Sequence, residues 1–313
     1  MPLISVVIPT RYRPQLVQRA IESVLSQTCC DFEILVIVDG PDPETVAALD
    51  NAREERIIVL ALEHNVGLAE ARNVGVRRAR GKWVAFLDDD DEWLPEKLQR
   101  QVETATHLGG NHVFVACRFI ERTQSMERVM PETLPTAGQH FSEYIYCEGG
   151  YLQPSTFFGS TALLLEVPFT AGLRHIEDTD WLLRAMGHPQ IKVAVVPEVL
   201  SVYNNKDGDR ESKLTPWGVP LAWAKTHHHL FTRRAFPFYI ARLCLDASRA
   251  GEPLSTFVGL LWLATRYGRM NGRVLGYFLA YSFVSDENLK RLREHKKVFT
   301  RRPESPQPSL ESR

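Results

Sequence analysis

No stretch of this sequence stays apolar for the eighteen or more residues that a membrane-crossing helix needs. The two best candidates, 257–264 and 274–284, are too short and are separated by Arg266, Arg269 and Arg273. Contact with a membrane surface is all they allow. Cysteine is scarce, with Cys29, Cys30, Cys117, Cys147 and Cys244 and no metal-ligand spacing among them. Their number is odd and two are neighbours, so free thiols in a reducing compartment fit better than a disulfide framework. An excess of charge of either sign is also missing, with 37 Lys plus Arg against 38 acids. That removes the global basic field of a nucleic-acid binder. Basic residues cluster only locally, at Arg72, Arg77, Arg78 and Arg80 and in the tail from Lys290. The first residues run directly into a strand-like segment without a signal-peptide pattern. A cytoplasmic protein is expected, with peripheral contact at the inner face of the membrane as a further option. A GxxxxGK[ST] run is lacking, which excludes a P-loop ATPase, and so is GxGxxG.

What is there is an alternation of strand and helix. Residues 3–8, 32–38, 57–62, 83–87 and 113–120 are apolar and strand-like. Between them, 14–26, 43–54, 68–80 and 95–108 carry helical periodicity. Asp42 before Pro43 reads as an N-cap with proline in the first turn, and Gly81 as a C-cap. Continuous apolar strands alternating with amphipathic helices predict an α/β fold, a mostly parallel sheet flanked by helices. Ligands in such sheets bind beyond the carboxyl ends of the strands. Those ends read Pro9-Thr10-Arg11, Asp39-Gly40, Glu63-His64-Asn65 and Asp88 to Asp91.

The second half is less regular. Residues 121–138 read as a polar loop, 158–165 and 192–196 as strands, 180–186 as a helix and 204–213 as a second polar loop. From Val219 the pattern is helical. The expected division is a domain over 1–215 with two halves, 1–120 and 121–215, a C-terminal helical extension over 216–300 and a disordered tail over 301–313.

Chemistry concentrates in Phe86-Leu-Asp-Asp-Asp-Asp-Glu-Trp93, an apolar strand that delivers five acids at its end. Adjacent carboxylates repel, and the cost rises with burial. A divalent metal carrying phosphate oxygens would compensate them, with Mg²⁺ or Mn²⁺ suited to an all-oxygen site. A solvated acidic turn is the plainer alternative. Asp39 can accept hydrogen bonds from a base or a ribose hydroxyl, or simply end a strand. Thr10 and Arg11 lie beside it. Gly67 opens a helix whose first amides favour phosphate. Arg72, in that helix, has the geometry to grip a phosphate, unless it is an ordinary surface arginine.

Taken jointly, 6–14, 37–40, 64–75, 81–93 and Glu177-Asp178 resemble glycosyltransferase family 2, with the GT-A nucleotide-diphospho-sugar transferase fold. The likeness covers about residues 1–205 and implies a nucleotide-sugar-binding half over 1–120 and an acceptor-binding half over 121–215. It implies an inverting transfer from a nucleotide sugar, UDP-sugars being favoured, with Mn²⁺ or Mg²⁺ as cofactor. It implies Asp90 as metal ligand with Asp88 in support. Pro9, Thr10, Arg11, Asp39, Asn65, Arg72, Asp88 and Asp89 would bind the nucleotide sugar, Asp39 reading the base. Two departures stand out: Gly40 where a second acid is usual, and Tyr12 where asparagine is common.

Inverting transfer needs a base for the acceptor hydroxyl proton. By the same resemblance that base is Asp178, with Glu177 shaping the acceptor site and Asp180 as backup. Capping of a helix is the alternative for these acids. Residues 151–158 are expected near the donor sugar or acceptor, and 204–210 as a lid. His227, His228 and His229 are adjacent on a helix and do not converge on one metal. The partners implied are a nucleotide-diphosphate sugar and an acceptor hydroxyl, a lipid-linked saccharide being one candidate. Two other readings stay open. A nucleotidyltransferase would carry a glycine-rich loop after the first strand, absent from 9–14; a silent binding module would not need intact acids at both sites.

Overall fold

The computed structural model describes residues 1–50, 54–173, 175–205 and 217–283. Four parallel strands, each followed by a helix, build the first half. They are β1 (Ile4–Thr10), β2 (Phe32–Val38), β3 (Ile57–Ala61) and β4 (Trp83–Phe86), with α1 (Pro14–Leu25), α2 (Pro43–Asp50), α3 (Leu68–Arg78) and, after the short β5 (Glu92–Trp93), α4 (Lys97–Leu108). Every residue of β1, β2 and β4 is buried, as a sheet covered on both faces requires. Asp42 caps α2, accepting the Thr45 N–H at 3.1 Å, with Pro43 in the first turn.

The remaining strands are β6 (Val113–Arg122), β7 (Glu127–Met130), β8 (Phe158–Ser160) and β9 (Lys192–Asn204). Between and beyond them lie α5 (Phe141–Cys147), α6 (Thr161–Glu166), α7 (Glu177–Met186), α8 (Gly218–His227), α9 (Ala235–Arg249), α10 (Leu254–Tyr267) and α11 (Gly272–Phe283). The sheet order is β3-β2-β1-β4-β8-β6-β9-β5, with β7 on β6. Strands β3, β2, β1 and β4 pair in parallel. Beyond them β8 is antiparallel to both neighbours and β9 is parallel to β6. The outcome is the mixed sheet with helices on its faces and further helices at the C-terminal end.

Three local readings change. Gly81 does not cap α3, which ends at Arg78 with an extended Ala79. It lies so close to β1 that a Cβ there would stand 2.7 Å from the Ile4 carbonyl carbon and the Ser5 nitrogen, a close approach only glycine allows. The strand expected over 158–165 stops at Ser160, whose hydroxyl accepts the Leu163 N–H at 3.4 Å and starts α6. Within 121–138 the chain makes a hairpin rather than a plain loop, β7 folding back on β6 with Glu121 opposite Arg128.

The chain divides into two compact units, Met1–Ala235 and Phe236–Arg313. In the second, Phe236 packs on Tyr267 and Phe238 on Tyr277, with ring centroids 5.9 and 5.8 Å apart. No described helix is long and apolar enough to cross a membrane. The tail expected over 301–313 and most of the loop expected over 204–213 lie outside the described residues.

Candidate active site

Because β2, β1 and β4 are adjacent and parallel, their carboxyl ends bring Asp39, Thr10 and Asp88 to one edge. The Asp39 carboxylate organises the turn before α3. Its oxygens accept from Asn65 Nδ2 at 2.8 Å, Val66 N at 2.7 Å and Gly67 N at 3.0 Å. Asp39 and Asn65 thus come together as expected. Gly40 adopts φ +107°, and a Cβ would meet Asn65 N at 3.1 Å. That backbone explains why no second acid stands here.

The four aspartates after β4 have four environments. The Asp88 N–H donates to Ser155 Oγ at 3.0 Å, and its Oδ1 accepts Arg72 Nη2 at 2.6 Å. Asp89 is buried, with Thr10 Oγ1 donating at 2.8 Å and Arg13 Nη1 at 3.0 Å. Burial pushes its carboxyl up to about 6, Arg13 opposing. Asp90 keeps a half-buried side chain, 3.5 Å from Arg13 Nη1, while its carbonyl accepts Arg19 Nη2 and Asn204 Nδ2 at 2.8 and 2.9 Å. Asp91 is fully buried between Ser155 Oγ (2.7 Å) and Asn204 N (3.0 Å). Its carboxyl is driven well above the usual range by burial and then by the charges of Asp90 and Asp88. Two more open acids, Asp88 and Asp90, therefore alternate with two buried ones, Asp89 and Asp91.

Arg72 is not a surface arginine. It is 1% exposed, on a face of α3 where Ala69, Ala71, Asn73, Gly75 and Val76 are also buried. Only Nη2 has a partner; Nε and Nη1 are buried without one. Phe169 lies under the guanidinium at 5.4 Å and stacks in turn on Trp181 of α7 at 5.3 Å. Asn73 fixes Phe169 by a reciprocal pair of 2.9 Å hydrogen bonds. Glu177 and Asp178, in the first turn of α7, act electrostatically on the same guanidinium as Asp88 does.

Glu177 is buried, and its Oε2 has no partner. Burial, then repulsion from Asp178, raises its carboxyl to about 7. Burial also raises Asp178, and the Thr179 N–H at 2.6 Å and Arg72 only partly offset it. Asp180 is different. Thr170 Oγ1, Arg184 Nε and Trp223 Nε1 donate to it at 2.6, 2.9 and 2.9 Å. Against the upward pull of burial, those bonds hold its carboxyl below the ordinary value. Its lone pairs are spent on tying α7 to α8, which leaves it little room as a backup base.

Arg11 is exposed, its guanidinium 4.9 Å from the Tyr12 ring. Pro9 is buried inside β1. Of the two arginines in 9–14, the one that reaches the acids is Arg13, which the sequence pattern did not single out. Ser155 and Asn204 are equally unforeseen as anchors of the run, although 151–158 was expected nearby. His227 stacks on Trp223 at 5.2 Å and does not converge with its neighbours on a metal.

The donor set fits a divalent cation and a phosphorylated ligand. Asp88 and Asp90 offer oxygen only, as Mg²⁺ or Mn²⁺ prefers. The two orphaned Arg72 nitrogens, Nε and Nη1, are a cost that an anion would remove.

Comparison with known proteins gives the following. Residues 5–150 match the family model described as glycosyl transferase family 2. An uncharacterized glycosyltransferase, EpsJ of Bacillus subtilis, is 28% identical over 218 residues, 65% of this chain and 61% of its own length. The Escherichia coli protein WfgD is named a UDP-Glc:alpha-D-GlcNAc-diphosphoundecaprenol beta-1,3-glucosyltransferase. It is 35% identical over 100 residues, 32% of this chain and 40% of its own. Among solved structures, S. aureus TarS 1–349 with UDP-GlcNAc aligns at TM-score 0.53 and 18% identity, covering 94% of this chain and 76% of that one. The mannosyltransferase PcManGT of Pyrobaculum calidifontis with GDP-Man and Mn²⁺ aligns at 0.52 and 16%, covering 96% and 81%. At these identities the structures speak for the fold.

Proposed function

The chain belongs to glycosyl transferase family 2 through residues 5–150, and from that premise we propose that it moves a sugar, with inversion, from a nucleoside-diphosphate sugar to an acceptor hydroxyl. The observation that carries the reading is the wedge around Arg72. A buried guanidinium with two unpartnered nitrogens, Nε and Nη1, is bonded to Asp88 through its third and feels the charges of Glu177 and Asp178.

Arg72 would meet the charge of the diphosphate as it leaves, in surroundings where charge-assisted hydrogen bonds are strong. Thr10, Asp39 and Asn65 would border the nucleoside at the ends of β1 and β2. Asp88 and Asp90 would hold Mg²⁺ or Mn²⁺, which when bound neutralises the diphosphate leaving group. Asp178 is the base. A carboxylate with a raised pKa takes the acceptor proton more readily than an ordinary one, provided it is ionised. Glu177, with its carboxyl near 7, would hold a proton part of the time and hydrogen-bond the acceptor or lighten the negative charge beside Asp178.

A UDP-sugar is favoured as donor, on the names of WfgD and the TarS complex. The acceptor we propose is a saccharide at the membrane surface, lipid-linked and used in polysaccharide or glycoconjugate synthesis. The protein would then work in the cytoplasm, peripheral at the inner face. Support comes from α10, where Leu254, Val258, Leu261 and Trp262 lie exposed on one stripe. Residues 253–283 hold Arg266, Arg269 and Arg273 and no acid, a pattern that suits an anionic lipid surface.

The test is donor binding followed by transfer. Calorimetry with UDP- and GDP-sugars, with and without Mn²⁺, should show metal-dependent binding that Asp90→Ala removes. Asp178→Asn should keep that binding and lose transfer by roughly a hundredfold or more, the range that general-base catalysis supplies. Absence of any nucleotide-sugar binding in the presence of metal would sink the whole reading. Near-normal transfer by Asp178→Asn would sink only the base.

A further inference from the structure

A second constellation lies away from the acidic edge. His112 stands just before β6, Glu166 closes α6 and His188 follows α7. Their ligand atoms lie within 4.8 Å of one another. His112 Nε2 is 2.8 Å from Glu166 Oε2, and His188 Nε2 is 3.1 Å from Glu166 Oε1. The two imidazole rings are 4.3 Å apart and tilted by 33°. Both histidine side chains are largely buried, while Glu166 is more than half exposed.

We infer that His112, Glu166 and His188 form a binding site for a transition-metal dication of the Zn²⁺ type, separate from the oxygen-only site at Asp88 and Asp90. Two imidazole nitrogens and a carboxylate, with room for water, are a common zinc donor set. Imidazole also discriminates against Mg²⁺, which prefers oxygen. Geometry favours the same conclusion. Both Nε2 atoms already aim at one carboxylate, so the ion enters where two hydrogen bonds now run. Glu166, open to solvent, can swing to admit it, and the enclosed rings need not move far.

The metal-free arrangement has one cost to overcome. His188 Nδ1 accepts the Gln190 N–H at 3.2 Å, which leaves the ring proton on Nε2. A metal on Nε2 displaces that proton, and the neutral ring then carries its hydrogen on Nδ1, giving up this long contact.

The three ligands come from three segments of the first unit. An ion there would clamp the start of β6, the end of α6 and the turn after α7. Helix α7 carries Glu177 and Asp178 at its other end, so the ion would fix the helix from behind. That is a structural role, independent of the sugar-transfer reading.

The experiment is Zn²⁺ titration of the full chain at neutral pH with Mg²⁺ in excess, alongside Co²⁺ as a spectroscopic probe. One equivalent of Zn²⁺ should bind and raise the melting temperature, and Co²⁺ should give a visible d–d band. The H112A/H188A variant should lose the band and the thermal shift; H227A/H228A/H229A should keep both. Zinc-edge absorption on the unaltered chain should show two imidazoles, a readout that stands even if H112A/H188A misfolds. No Zn²⁺ binding under excess Mg²⁺, a band that survives in H112A/H188A, or an edge spectrum without two imidazoles would each overturn the proposal. Failure of sugar transfer would leave it untouched.

Discussion

Glu177 is the residue whose protonation the fold most plainly controls. Its carboxyl sits near 7 in the folded chain, against 4.5 ordinarily, first through burial and then through Asp178. Between those values the folded state keeps a proton that the unfolded chain has released. Stability must then fall as pH rises through that window. The groups held low, Asp180 among them, act in the opposite sense only below the ordinary carboxylate range. In metal-free and ligand-free protein, the melting temperature should drop by several degrees from pH 5 to pH 8, and Glu177→Gln should flatten the decline. An unchanged slope in Glu177→Gln would mean that another group titrates.

Single residues also show where sequence reading stops. Asp88, Asp90, Asp178 and Glu177 were legible because carboxylates at a strand end and a helix start are visible as text. The choice between Arg11 and Arg13 was not. It turns on the backbone at Tyr12, which takes φ +54°, a left-handed conformation more usual for asparagine. Tyr12 N donates to Asp42 at 2.5 Å, and the turn that results sends Arg13 toward Asp89. Arg72 carried a readable signal that was passed over: it occupies the apolar face of its own helix, three residues from Ala69 and from Gly75.

At the scale of elements, the first half was legible because alternating apolar strands and amphipathic helices have distinct periods. The second half was not, because β8 is three residues long and β7 four, too short for periodicity to speak. What orders this half is a set of side-chain clasps. Ser155, in the 3₁₀ turn Pro154–Thr156, takes the Asp88 N–H and donates to Asp91. Removing its hydroxyl leaves a buried carboxyl short of a donor. Ser155→Ala should therefore cost about 1–3 kcal/mol in urea unfolding, the usual range for a buried group left unpaired. It should also weaken metal-dependent donor binding, since Asp88 loses its support. Full stability in Ser155→Ala would show that the clasp is dispensable.

For the whole molecule, the second unit has its own consequence. The exposed stripe of α10 and the three arginines without a nearby acid in sequence should bring the chain to anionic vesicles. Co-sedimentation is expected with vesicles rich in phosphatidylglycerol, weaker with phosphatidylcholine alone and reduced by salt. Trp262→Glu should lower it further. Equal partition onto both vesicle types, or none, would remove the membrane from the proposed function.

Asp91 links remote stretches of chain. It lies within the matched segment 5–150, yet Ser155 and Asn204, which donate to its carboxylate, come after that segment ends. The acidic run is thus unfinished until a residue 113 positions further on has been made. A fragment of 1–150 should be aggregation-prone and unable to bind nucleotide sugar, whereas one of 1–235 should stay folded and bind it, as limited proteolysis and calorimetry would reveal. Evolution could then exchange acceptor loops only between the fixed points at 155 and 204: the grammar of the acidic run is written locally, but its last word is supplied from the far side of the domain.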